Sequence, residues 1–428
     1  MELAVLLLTL IVLLAIGVPV AFSLMTATIL CFFLLDIPVV VLLQRMAAGM
    51  SVFSLMAIPF FVFAGDLMYR AGIAERLVRV ADGIFGRATG GLGQVTVGAS
   101  MMFGAVSGSA IASASAMGSA LTPLMRERGY DRDYAANVTT TAAVVGLLIP
   151  PSHNMIIYAA SAGQGISVGD LFLAGVIPGI MTGVFLMIVA WLVAKQRGYP
   201  RGVFPGWQTL LYSIVWAIPG ILTAVIIMGG ILSGAFTPTE SSAIAVIYTI
   251  FVGAFVYRTL GFQKFMEAAK QSVKITAMVM LIISAATAFS YALAILKAPT
   301  QLAELITAIT DNPILILLMM NIILLLLGTF MDMSPLIVIM TPILLPIAAS
   351  AGIDPVHFGV IMMLNLGIGL VTPPIGSVLF VGSAVSGVSV EQMVKSIWPF
   401  YGALIVALLV ISFFPVLSMA LPTWINAG

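Results

Sequence analysis

Two proline pairs constrain this chain more than any other feature. Pro150-Pro151 sits in GLLIPPSHN (146–154) and Pro373-Pro374 in GLVTPPIGS (369–377). Each lies in a run apolar enough to cross a bilayer as a helix. Proline has no N–H to donate, and its ring blocks the turn before it, so upstream carbonyls lose their partners. Hydrocarbon cannot satisfy those oxygens, and such a break persists only inside protein or beside a wet cavity. Two interrupted segments at corresponding places in two halves of a chain point to a transporter's binding site.

The rest of the chain supports a membrane setting. It is 61% hydrophobic and 8% charged, with a mean hydropathy of +1.20, far from the composition of soluble domains. The expectation is an all-α polytopic membrane protein of about ten spans, each needing roughly 20 apolar residues. A net charge of +1 and no basic stripe give no sign of a nucleic-acid partner. One cysteine, Cys31, rules out a disulfide framework. The opening run MELAVLLLTLIVLLAIGVPVAF lacks a basic leader and reads as a first span, not a cleaved signal. Spans are expected at 3–17, 19–35, 53–70, 134–162, 170–194, 207–232, 238–258, 272–296, 356–385 and 396–424. Two further apolar segments, 92–124 and 312–349, are long enough to enter and return, and read as re-entrant helical hairpins. Amphipathic stretches 73–89 and 299–309 should lie along the interface. With the N-terminus outside, all but Arg45 and Lys297 of the 17 Lys and Arg fall on the cytoplasmic side, as the positive-inside rule asks.

This layout repeats itself with inverted topology. Residues 1–194 hold scaffold spans (1–70), a hairpin (92–124) and a broken span (134–162). Residues 195–206 form a cytoplasmic linker, and 207–428 hold the second hairpin (312–349) and broken span (356–385). Thr-Pro pairs close both hairpins, at Thr122-Pro123 and Thr341-Pro342. Gly129 and Asp131, then Gly352 and Asp354, follow them.

Oxygen-rich turns are the candidate chemistry. Ser107 and Ser109 flank the first hairpin turn at Gly108, and Gly146, Ile149 and Pro150 would present backbone carbonyls opposite. Hydroxyl and carbonyl oxygens are what a hard cation needs, and Na⁺ held this way needs no carboxylate. The symmetric set is Gly328 and Thr329, facing Gly369, Thr372 and Pro373. Asp332 in the second tip is a carboxylate at membrane depth, which marks function by default; it also suits the cap of the returning half-helix. Ser152 and Asn154, after the first proline pair, join Asp332 as candidate substrate contacts. With no Arg or Lys in the core of the layout, the field for an anion would come from half-helix N-termini, from bound cations, or from Lys297. In GAFTPTESSA (234–243), Thr239 reads as a helix start with Glu240 in the first turn. No metal-ligand cluster, nucleophile elbow, Walker A or dinucleotide fingerprint stands in its required context, so neither an enzyme nor an organic cofactor is expected.

Together, LLIPPSHNMIIY, VTPPIG, VSGSA and GAFTPTE within inverted repeats resemble the large membrane subunit of tripartite ATP-independent periplasmic (TRAP) transporters. The resemblance covers essentially the whole chain. It implies a multi-pass protein of the bacterial inner membrane that works with two partners on other chains: a small four-helix membrane subunit and a periplasmic substrate-binding protein. It implies Na⁺-coupled uptake of an organic acid, such as a C4-dicarboxylate or a sialic or other sugar acid, by an elevator motion. The sodium roles then fall on the two oxygen sets named above, and the substrate role on Asp332. Family members often carry Pro-Ala after the SGS of the first tip; here it is Ala110-Ile111. A stand-alone Na⁺-coupled anion symporter and a purely structural membrane subunit are the competing readings.

Overall fold

The computed structural model describes residues 2–163, 165–310 and 312–426. It is helical throughout; among the described residues the sole β-type pairing is a bridge between Thr89 and Arg201. Helices α1 (Glu2–Ala15), α2 (Val20–Leu34), α3 (Val40–Met50) and α4 (Ala57–Arg70) come first. The chain then bends by 68° into α5 (Ile73–Phe85) through Gly72, whose φ of 74° suits a residue without Cβ. Buried Ile73, Ala74, Leu77, Val80 and Ala81 lie on one stripe of α5, the spacing of an amphipathic helix.

Helices α6 (Gly91–Ser107) and α7 (Ala110–Glu127) form the first hairpin, and α8 (Arg132–Val145) and α9 (His153–Ala162) are the halves of the first broken segment. Next come α10 (Val168–Gln196), α11 (Trp207–Leu232), α12 (Pro238–Phe251), which ends in a π turn over Val252–Val256, and α13 (Phe262–Ile295). Then α14 (Ala298–Ile309) leads to α15 (Pro313–Gly328) and α16 (Met333–Ser350), which meet at the second tip. The second broken segment is α17 (Pro355–Leu370) and α18 (Ser377–Ser386). The chain closes with α19 (Val390–Ser396), α20 (Trp398–Phe413) and α21 (Val416–Asn426).

Burial places the broken segments at the centre. Every residue of α8 from Tyr134 to Val145, and of α17 from His357 to Leu370, is buried. The outer faces of α1 and α11 remain apolar and open, with Ile11, Val12, Leu211 and Val215 more than half exposed. That is the face a bilayer would cover.

Several expected boundaries shift. Helix α3 falls where no element was expected; Arg45 lies 3.8 Å above the Tyr291 ring. Helix α13 starts at Phe262, ten residues before the expected span, and its 34 residues make about 51 Å. That exceeds the roughly 30 Å of hydrocarbon, so one end stands in water. The Thr-Pro pairs do not close the hairpins. Helix α7 runs through Pro123, and α16 through Pro342 and Pro346. The last span bends by 53° between α20 and α21. The α12 cap is Thr237, two residues before the expected Thr239. Its hydroxyl accepts from the Glu240 N–H, and Glu240 returns a bond to the Thr237 N–H. Among the described residues, five helices are each long and apolar enough to span alone, or up to eight spans form if bent pairs count as one.

Candidate functional site

The first break is built from its own missing donors. Beyond Val145 the chain tightens, with Leu147 and Leu148 bonding back to Val144 and Val145 at 3.0 and 3.1 Å. Pro150 and Pro151 then donate nothing. Among the described residues, no protein donor reaches the carbonyls of Gly146, Ile149 or Pro150. The first hairpin tip covers this break. Gly108 turns it with a φ of 61°. Ser109 caps α7, its hydroxyl accepting from the Ala112 N–H at 3.3 Å. Contact is backbone to backbone: a Cβ on Gly104 would stand 2.1 Å from Gly146 Cα.

The second tip meets the second break in the same way. A Cβ on Gly369 would stand 2.6 Å from the carbonyl carbon of Gly328. Here, however, more oxygens are already engaged. The Thr329 carbonyl accepts from the Ile375 N–H at 3.1 Å, Gly369 from Thr372 at 3.0 Å, and Thr372 from Gly376 at 3.2 Å. The Thr372 hydroxyl donates to the Ile368 carbonyl at 2.7 Å, and Tyr401 donates to the Val371 carbonyl at 2.5 Å. A carbonyl has two lone pairs, so these oxygens retain capacity for a second ligand. The first junction is nonetheless the less satisfied of the two.

Between the tips lies a cleft of about 930 Å³. Ser107, Ser109, Asn154 and Asp332 line it. The Ser334 hydroxyl donates to Asn154 Oδ1 at 3.1 Å, tying the second tip to the helix that follows the first break. Asp332 caps α16, accepting from the Met333 N–H at 2.9 Å. The starts of α7, α9 and α16 all face the cleft. Three helix N-termini present partial positive charge there, the arrangement that favours an anion.

Sequence-based candidates divide by position. Gly146, Ile149, Pro150, Gly328, Thr329, Gly369, Thr372 and Pro373 stand at the tip–break junctions, outside the cleft lining. Ser152 is fully buried, away from the cleft lining; its Oγ has no partner among the described residues. Ser115 and Gln271 line the cleft and carried no signal in the sequence. Arg70 corrects the expectation of a core without Arg or Lys. It lines the cleft, bonded to Asp66 at 2.8 Å and to Glu267 at 2.5 Å. The Asp66–Arg70 spacing of four residues is a helix ion pair legible in the sequence; Glu267 is not. The start of α2, the end of α4 and the middle of α13 also line the cleft.

Comparison with known proteins adds the following. Residues 7–417 match the family described as "Tripartite ATP-independent periplasmic transporter, DctM component". The chain is 39% identical to the sialic acid TRAP transporter large permease SiaM of Vibrio cholerae, covering 95% of each chain. It is 41% identical to the C4-dicarboxylate TRAP transporter large permease DctM of Pseudomonas aeruginosa, covering 87% of each. Among solved structures, the Alcanivorax borkumensis YdaH transporter superposes with a TM-score of 0.63 at 12% identity, covering 90% of this chain and 88% of that one. At that identity the likeness concerns the fold alone.

Proposed function

This chain belongs to the DctM family of TRAP transporter large permeases, and on that premise we propose that it couples organic-acid entry to Na⁺ through the two tip–break junctions. Family membership makes it a multi-pass subunit of the bacterial inner membrane, a transporter component and not an enzyme. Beyond that, the reading is ours. One Na⁺ sits between Ser107, Ser109 and the carbonyls of Gly146, Ile149 and Pro150. A second sits between Gly328, Thr329, Gly369, Thr372 and Pro373. The substrate anion occupies the cleft between them, facing the three helix N-termini, with Asp332 and Asn154 at its wall. The small membrane subunit holds the scaffold, and a periplasmic binding protein delivers the acid. The division into inverted repeats at 1–194 and 207–428, with 92–162 and 312–385 moving as one body, belongs to the same proposal.

The observation that carries this reading is the duplication. Each tip touches its break glycine to glycine, and neighbours of both pairs, Ser107 and Leu147 at the first and Asp332 and Leu370 at the second, line one cleft. Cation binding there would pull each tip onto its break and shape the cleft, which couples ion to substrate in the thermodynamic sense. The test is uptake into proteoliposomes containing this chain with its small subunit, with binding protein added outside. Accumulation should follow an inward Na⁺ gradient and fail with K⁺ alone. Equal uptake without Na⁺ removes the coupling. Equal uptake without the binding protein indicates a stand-alone symporter.

A further inference from the structure

A second groove, of about 470 Å³, lies apart from the tips, between α4, α5, α11 and the start of α13. Its cations are Arg70, Arg76, Arg79 and Lys264, and Glu75 also lines it. Arg70 is spent on Asp66 and Glu267. The other three are differently placed. Among the described residues Arg76 has no carboxylate within 4.0 Å: its guanidinium lies 3.7 Å from the Tyr257 ring centre and donates to the Gly72 carbonyl at 2.6 Å. Arg79 and Lys264 are exposed, and among the described residues neither has a carboxylate within 4.0 Å. Counting Asp66, Glu75 and Glu267 against the four cations leaves one positive charge, the complement of a phosphodiester.

Two more features fix where this charge sits. Tyr212 and Trp216 line the groove, 61% and 37% exposed, on a helix whose outer face continues with exposed Leu211, Val215 and Ile218. Aromatic rings above an apolar helix face mark the membrane–water boundary. The cations stand on the Lys- and Arg-rich side, where the leaflet is anionic. We propose that this groove binds the headgroup of an anionic phospholipid. Arg76, Arg79 and Lys264 hold the phosphate, and the acyl chains run down the open face of α11. Tyr69 and Arg70 border both this groove and the substrate cleft, so the lipid would buttress the scaffold wall of the cleft.

The inference stands apart from Na⁺ coupling and is tested without transport. The full chain is placed in nanodiscs of phosphatidylethanolamine with a minor fraction of phosphatidylglycerol. Lipid retained after release from the disc is then counted by native mass spectrometry. Each basic residue near a membrane surface is worth about fivefold in affinity for anionic lipid. R79A/K264A should therefore retain about 25-fold less phosphatidylglycerol. K270A/K274A, which removes the same charge from α13 outside the groove, should retain as much as the parent chain. Equal retention by all three proteins, or equal loss from both variants, overturns the proposal. Full displacement of the lipid by inorganic phosphate also overturns it, since the groove would then be a site for a free anion. Thermal melting of both variants confirms that each is folded.

Discussion

Gly104→Ala is the sharpest perturbation available. The added Cβ would stand 2.1 Å from Gly146 Cα, whereas carbon atoms rest at about 3.5 Å or more. Tip and break must therefore separate by about 1.4 Å. Neither side has a flexible side chain to yield, because the contact is backbone on backbone. Overpacking of this kind costs about 1–3 kcal/mol. The functional effect should be larger. Hard-cation cages work at ligand distances near 2.3–2.6 Å, and a separation of about 1.4 Å takes the tip's Ser107 and Ser109 out of reach of a cation held by the break. Gly328→Ala is the graded comparison. Its Cβ would meet Gly369 Cα at 3.2 Å, which a shift of a few tenths of an ångström relieves. Gly402→Ala is the control, since nothing lies within 4 Å of its Cβ position. Na⁺ dependence of uptake is measured for all three in proteoliposomes. Gly104→Ala should lose at least tenfold in apparent Na⁺ affinity or lose uptake altogether, Gly328→Ala should weaken it by a few fold, and Gly402→Ala should match the parent. A Gly104→Ala protein that folds and retains its Na⁺ dependence refutes the reasoning.

Other outcomes follow from the same geometry. Asp332→Asn keeps a good helix cap, because Asn and Asp cap equally well. Melting should stay within about 0.5 kcal/mol of the parent while uptake falls at least tenfold; unchanged uptake would reduce Asp332 to a cap. Asn154→Ala removes the bond from Ser334, worth about 1 kcal/mol, and should raise the substrate KM about fivefold with little change in folding. At the linker, Arg197 bonds to Asp131 and Asp133 at 2.9 and 3.0 Å. Burial raises the pKa of Asp133, but hydrogen bonds from Arg197 and Ser396 outweigh it and hold the carboxyl below its usual 3.8. A depressed carboxylate stabilises above its unfolded pKa and loses that contribution as pH falls through the folded value. Limited proteolysis within 197–206 should therefore accelerate below pH 3.8, and Asp133→Asn should show the faster cleavage already at neutral pH. Thr237→Ala should cost about 1 kcal/mol in thermal stability by removing the α12 cap, with transport retained.

How much of this was legible in the sequence depends on the range of the interaction. Pro150 and Pro373 act on carbonyls within a turn of themselves, so both breaks could be located from the residues alone. The α5 stripe is equally local. The Thr-Pro pairs misled because a proline costs a helix one bond but need not end it: Pro123 is exposed and Pro342 half-buried, yet both helices run on. Only the preceding threonines, Thr122 and Thr341, are buried. Helix α3 was missed because VVLLQRMAAGM carries a mid-run Arg, which stacks on the Tyr291 ring, far along the chain. Nothing local pairs Gly104 with Gly146, and nothing at all pairs Ser334 with Asn154, 180 residues apart. The second junction's engaged carbonyls are likewise a tertiary fact, since Thr329 and Ile375 are joined only by the fold.

The most direct test of cation binding is a high-resolution structure in saturating NaCl, compared with one in choline chloride. A cation at both junctions in sodium is the expected result, bonded to the Gly146 and Ile149 carbonyls at the first and to Gly369 at the second. Loss of both in choline should accompany it. Junctions equally empty in the two salts, with the organic acid nonetheless seated in the cleft, would contradict it.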